Sequence, residues 1–199
     1  MEPATNSTVT NWKAALPANQ RNLRDISNTA IWSLSSCKTG YGVENVLDNN
    51  ADTYWQSDGP SPHIVNVQFM RKTTMSYFAL YVDFKADESY TPSRISIKVG
   101  MHTDDLREVK HTELTEPCGW QFVQLSDLNS QPPVRAFMLQ LSILQNHHNG
   151  RDTHIRQLKV LGPTVDVYGG LHTMVLSNGT TVAQGKPTSL QFTQLSTIR

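Results

Sequence analysis

The chain has 199 residues, with 17 Lys and Arg against 17 Asp and Glu, 38% hydrophobic residues and two cysteines. This length suits one domain with an ordinary core and terminal segments. The balanced, unclustered charge argues against a protein that grips nucleic acid through its phosphates, and no apolar run approaches the roughly 18 residues of a membrane span.

Residues 1 to 20 are polar, lack periodicity and contain Pro3 and Pro17. No charged stretch followed by an apolar one opens the chain, so no secretory signal is expected, and the segment reads as a flexible lead-in. A β-rich domain is predicted over residues 21–163. Its first strand candidate is Ile31–Ser35. Val43–Leu47 could form one short helical turn, and no longer amphipathic helix is evident. Val65, Val67 and Phe69 then alternate with polar residues, as do Ile95, Ile97 and Val99, and Phe137, Leu139, Leu141 and Ile143. Period two is the pattern of strands with one face inward. Met75–Asp83, Glu108–Leu114, Trp120–Leu125 and Ile155–Leu161 are further candidates. Gly59-Pro60, Thr91-Pro92, Pro117, Pro132-Pro133 and Asn149-Gly150 separate the runs. Short strands with turns between them predict an all-β fold, a β-sandwich of jelly-roll type whose end loops carry specificity. Residues 164–199 are rich in Gly, Ser, Thr and Gln and read as a flexible tail outside the core. Cys37 and Cys118 read as free, buried intracellular thiols.

The densest polar stretch is QNHHNGRDTHIRQL, residues 145–158. His147, His148, Asp152 and His154 could ligate a metal, but the spacing matches neither a helical His pair nor Cys-x-x-Cys, so no metal is expected. His154 and Asp152 could form an acid–base pair, but no nucleophile motif or phosphate-cradling loop accompanies them, so no catalytic residue and no cofactor are expected. The remaining plain reading is a hairpin, with Asn149-Gly150 forming a type I′ turn and Asp152 or Asn146 bonding nearby amides.

The stretch DNNADTYWQSDGPSPHIVNVQF, residues 48–69, resembles the start of galactose-binding-like, discoidin-type jelly rolls. IWSLSSCKTGYGVENVLDNNADTYWQSDG (31–59), DESYTPSRISIKVG (87–100) and NHHNGRDTHIRQLKV (146–160) together resemble the DOC-domain subunits of the anaphase-promoting complex, a multi-subunit ubiquitin ligase of the cell cycle. The resemblance covers roughly residues 20–163. The family loop usually reads Asn-His-Gln-Asn-Gly-Arg-Asp-Thr-His, and here His148 stands in place of the glutamine.

The resemblance implies a non-enzymatic subunit that helps bind the destruction box, a short degron, together with a WD40-propeller coactivator. Ser89, Tyr90, Asn146, His147, Asn149, Arg151, Asp152 and His154 are the degron-binding candidates it suggests. Ser57 and Asp58 are weaker ones, and Trp55 reads as a core anchor. The terminal Ile198-Arg199 implies docking into a tetratricopeptide-repeat scaffold subunit, a form of terminal-carboxylate capture. Residence in nucleus and cytoplasm is the matching expectation. The alternative is a carbohydrate- or lipid-binding discoidin-like module, for which Tyr41, Tyr54 or Trp55 could supply an aromatic platform.

Overall fold

The alternation at Val65, Val67 and Phe69 lies in a long strand, His63–Met75, where these residues and His63 are buried. The structure is a computed structural model describing residues 11–16, 22–125, 133–164, 174–175 and 181–182. It divides into two units, Met1–Thr164 and Val165–Arg199.

In chain order the first unit contains helix α1 (Trp12–Ala15), strands β1 (Leu23–Asp25) and β2 (Ala30–Leu34), helix α2 (Val43–Leu47), and strands β3 (Trp55–Gln56), β4 (His63–Met75) and β5 (Tyr77–Asp83). Helix α3 (Phe84–Asp87) follows, then β6 (Pro92–Gly100), β7 (Arg107–Glu113), β8 (Cys118–Gln124), β9 (Val134–Asn146), β10 (His154–Ile155) and β11 (Gln157–Pro163). In the second unit, β12 (Met174–Val175) pairs antiparallel with β13 (Thr181–Val182).

Two antiparallel sheets make the sandwich, one ordered β2-β4-β9-β6-β7 and the other β1-β11-β5-β8. The chain passes from one sheet to the other through the single residue Ser76, between β4 and β5. Val65, Val67, Ile95, Ile97, Leu139, Leu141 and Ile143 from the first sheet form one core with Phe78, Leu80, Val82, Leu158 and Val160 from the second. Each fully buried aliphatic contributes about 1.5–3 kcal/mol relative to exposure, so these alternating positions dominate the fold's stability.

Three local expectations are corrected. Trp12, inside the expected lead-in, is buried and packs with Tyr77, Ala79 and Leu161 on the outer face of the four-stranded sheet. An indole is too large an apolar group to leave in water when such a surface lies within reach. Cys37 and Cys118 are exposed free thiols rather than buried ones, Cys37 in a loop and Cys118 at the start of β8. The predicted strand Ile155–Leu161 is two strands in different sheets, broken at Arg156.

Register places the polar segments together. His63 pairs with Ile143, Pro92 with Asn146, and Gln157 with Tyr81. The loops before β4, after β5, before β6 and after β9 therefore emerge at one end of the sandwich.

Candidate functional site

The end of β5 turns into α3 because the Asp83 carboxylate accepts from the backbone N–H of Lys85 at 3.0 Å, as an N-cap does. Residues 88–90 make a further turn, closed by Thr91 N–H donating to the Glu88 carbonyl at 3.1 Å. Across from it, β9 ends in a turn whose central residues His148 and Asn149 both have positive φ, 51° and 56°. Gly150 N–H closes that turn on the His147 carbonyl at 2.9 Å. This is a type I′ pattern one residue earlier than the expected Asn149-Gly150 turn. It does not make a hairpin, because β9 and β10 lie in different sheets.

The two turns meet. His147 N–H donates to the Thr91 carbonyl at 2.9 Å. Below them the backbone of 150–153 is held from inside. Asn146 Nδ2 donates to the carbonyls of Gly150 (3.2 Å) and Asp152 (2.8 Å). His63 Nε2 donates to the Arg151 carbonyl at 2.9 Å. Thr153 N–H donates to Ser57 Oγ at 2.8 Å, while Ser57 N–H donates to the Thr153 carbonyl at 3.1 Å.

A run of stacked rings crosses the same end. Tyr41 and Tyr54 have centroids 5.0 Å apart, Tyr54 and His154 4.3 Å, and His154 and Tyr90 4.2 Å at an interplanar angle of only 13°. Asp87 lies beneath this run. His154 Nδ1 donates to Asp87 Oδ1 at 3.1 Å, and Arg156 donates through Nε and Nη2 to the two carboxylate oxygens, each at 2.9 Å. Arg156 Nη1 also donates to the Ala51 carbonyl at 2.7 Å. Burial by itself would raise the Asp87 carboxyl. The hydrogen bonds of His154 and Arg156, with the Arg156 charge, outweigh it and hold the group below its ordinary range. Asp87 is therefore an ionised acceptor, and the ring nitrogen facing it carries hydrogen.

Of the eight degron-binding candidates, Tyr90, Asn149 and Arg151 are exposed, and Ser89, His147 and Asp152 are partly so. Asn146 and His154 are buried and help hold the loop through Nδ2 and Nδ1, while Asn146 Oδ1 and His154 Nε2 have no hydrogen-bond partner among the described residues. A cavity of about 220 Å³ opens at Asn146, lined also by Ser61, His63, Gln145, Asn149 and Gly150 among others. Trp55 is fully buried, its Nε1 donating to the Ser36 carbonyl at 2.9 Å. Of the aromatic-platform candidates, Trp55 is inside and offers no open face, while Tyr41 and Tyr54 are partly exposed, with Tyr54 stacked by Tyr41 and His154. Ser57 is buried and Asp58 exposed. Ile198 and Arg199 lie outside the described residues. Among the described residues no three His, Cys, Asp or Glu side chains are grouped to hold a metal.

Reading the sequence missed Asp87, Arg156 and Gln157. Gln157 is fully buried; its Nε2 donates to the Asn45 carbonyl (2.9 Å), Asp48 Oδ1 (2.7 Å) and the Asn50 carbonyl (2.7 Å), and its Oε1 accepts from Asn49 N–H (2.9 Å). Arg156 and Gln157 were signalled only by their polarity inside the strand-like run Ile155–Leu161, and Asp87 by nothing local.

The family model described as anaphase-promoting complex, subunit 10 (APC10), matches residues 3–188. The chain belongs to the anaphase-promoting complex subunit 10 family. Anaphase-promoting complex subunit 10 of Homo sapiens is 54% identical over 141 residues, covering 71% of this chain and 76% of that protein. The Schizosaccharomyces pombe subunit 10 is 38% identical over 142 residues, covering 71% and 75%. The Saccharomyces cerevisiae anaphase-promoting complex subunit DOC1 is 32% identical over 149 residues, covering 74% and 60%. Among solved structures, the family 32 carbohydrate-binding module of Clostridium perfringens NanJ in complex with galactose has a TM-score of 0.58 at 14% identity, covering 70% of this chain and 98% of that one. At that identity the likeness shows the jelly-roll fold alone.

Proposed function

We propose that the chain is a non-enzymatic substrate-recognition subunit of the anaphase-promoting complex, reading part of the destruction box alongside a WD40 coactivator. The observation that supports this most is the exposed polar surface of Tyr90, Asn149 and Arg151, set on two turns locked to each other and to the sandwich. Such a surface offers an aromatic edge, an amide and a guanidinium to a polar peptide, and rigid mounting lowers the entropy lost on binding. It would bind weakly alone. Shared engagement of one degron with the coactivator raises effective concentration and slows release, which lengthens ubiquitin chains per encounter.

The test replaces Tyr90, Asn149 and Arg151 together with Ala in the reconstituted ligase. Assembly should persist while destruction-box substrates receive fewer ubiquitins per encounter. Unchanged processivity would sink the reading. The C-terminal Ile198-Arg199 is proposed to dock on a tetratricopeptide-repeat scaffold subunit, with action in nucleus and cytoplasm. A chain ending at Thr197 should lose part of that association in affinity purification, and equal recovery would refute the docking role.

A further inference from the structure

Asp87 stands apart from the exposed surface. Its side chain is only 5% exposed, yet it carries the connections that run beneath Tyr90. The carboxylate, on the last residue of α3, accepts from two side chains: His154 at the start of β10, and Arg156, which in turn ties down the Ala51 carbonyl. Tyr90 lies three residues after Asp87 and rests on the His154 ring at 4.2 Å. The carboxylate therefore fixes both the backbone that leads to Tyr90 and the ring on which Tyr90 lies.

We propose that Asp87 is a positioning residue for the peptide-reading surface, acting through His154 on Tyr90. A buried ion pair adds little net stability compared with a well-packed apolar replacement. What it supplies here is direction. The His154 ring can keep its bond to Asp87 only near one orientation, and that orientation sets the plane on which Tyr90 stacks. Both Asp87 oxygens accept from Arg156. An asparagine would turn an N–H toward one of those donors, so Asp87→Asn disturbs this arrangement with almost no change of volume. Tyr90 is 39% exposed and would then sample other orientations.

The inference rests on Tyr90 touching the degron, and a double-mutant cycle separates the two ideas. A synthetic destruction-box peptide is titrated against the reconstituted ligase with coactivator, carrying wild-type chain, Asp87→Asn, Tyr90→Ala or both. Each single change should weaken binding about tenfold, within the coupling range of touching residues, and the double change should be no weaker than Tyr90→Ala alone. Losses that multiply would mean that Asp87 acts on the fold at large, and would overturn the inference. So would full affinity in Asp87→Asn. Full affinity in Tyr90→Ala would instead remove Tyr90 from the contact surface and take the reading of this end as a degron site with it. If Asp87→Asn does not fold, His154→Phe replaces it in the cycle, keeping an aromatic ring without the Asp87 bond. The same non-additivity with Tyr90→Ala is expected, and multiplying losses would again overturn the inference.

Discussion

Gly150 is seated against Ser89, so closely that a Cβ on Gly150 would come within 1.8 Å of the Ser89 carbonyl oxygen. Gly150 has φ −56°, which any residue can adopt, so glycine is required here for space and not for conformation. The obstructing atom is backbone and cannot swing aside. Gly150→Ala should push the two turns apart at a cost of about 1–3 kcal/mol, the usual penalty of overpacking. Peptide affinity should fall with it. Urea unfolding and peptide titration of this variant check both, and unchanged affinity would show that the turns need not touch.

Trp55 and Tyr90 should separate the core from the contact surface. Trp55 is fully buried with its indole bonded to Ser36, so Trp55→Ala should cost about 3–5 kcal/mol. Tyr90 is partly exposed, and Tyr90→Ala should cost much less, about 1 kcal/mol for a lost ring contact, while weakening peptide binding more. Comparing urea midpoints of the two variants decides it. A Tyr90→Ala protein as unstable as Trp55→Ala would make Tyr90 a structural residue.

Strands β4, β6 and β9 were readable because their core-facing apolar residues alternate with polar ones, whereas β5 and β11, buried on both faces, were readable only as apolar runs. Val65, Val67 and Phe69 announce β4 by themselves, and Val43–Leu47 was read as helical with the bounds of α2. The loop end was readable only as a concentration of polar residues. Asp87 looks like a surface residue in the run DFKADESY, and it becomes buried only because His154 and Arg156, 67 and 69 positions later, fold onto it. Nothing local marks such a meeting. The crowding of Gly150 by Ser89 was equally invisible, since it comes from the other side of the loop end. Trp12 was misread because its burial depends on the outer face of a distant sheet.

Gln157 should be costly to remove even though it is neutral. It is fully buried and its amide meets backbone or side-chain atoms of Asn45, Asp48, Asn49 and Asn50, so it closes the 45–50 segment onto β11. Gln157→Leu keeps a similar volume but strands these groups, Asn49 N–H among them. Each buried group left unmet costs about 1–3 kcal/mol, and those nearer the surface recover water. A loss of about 2–4 kcal/mol in urea unfolding is expected. A loss below about 0.5 kcal/mol would mean that water replaces the amide without difficulty.

The Asp25–Lys159 pair should make part of the stability sensitive to acid. Lys159 Nζ donates to Asp25 Oδ2 at 2.8 Å, and Ser27 N–H donates to Asp25 Oδ1 at 2.9 Å. Burial would raise the Asp25 carboxyl, but the bonds from Lys159 and Ser27 outweigh it and leave it below the usual range. A carboxyl lowered on folding binds its proton more readily in the unfolded chain, so folding is favoured while the group is ionised in both states. The contribution is fully present above the unfolded-state value of about 3.9 and disappears as pH falls through the lower folded-state value. The difference in urea midpoint between wild type and Asp25→Asn should therefore hold steady from pH 7 to about pH 5 and shrink below about pH 4. A difference that persists undiminished in strong acid would assign the Asp25 contribution to shape and hydrogen bonding rather than to its charge.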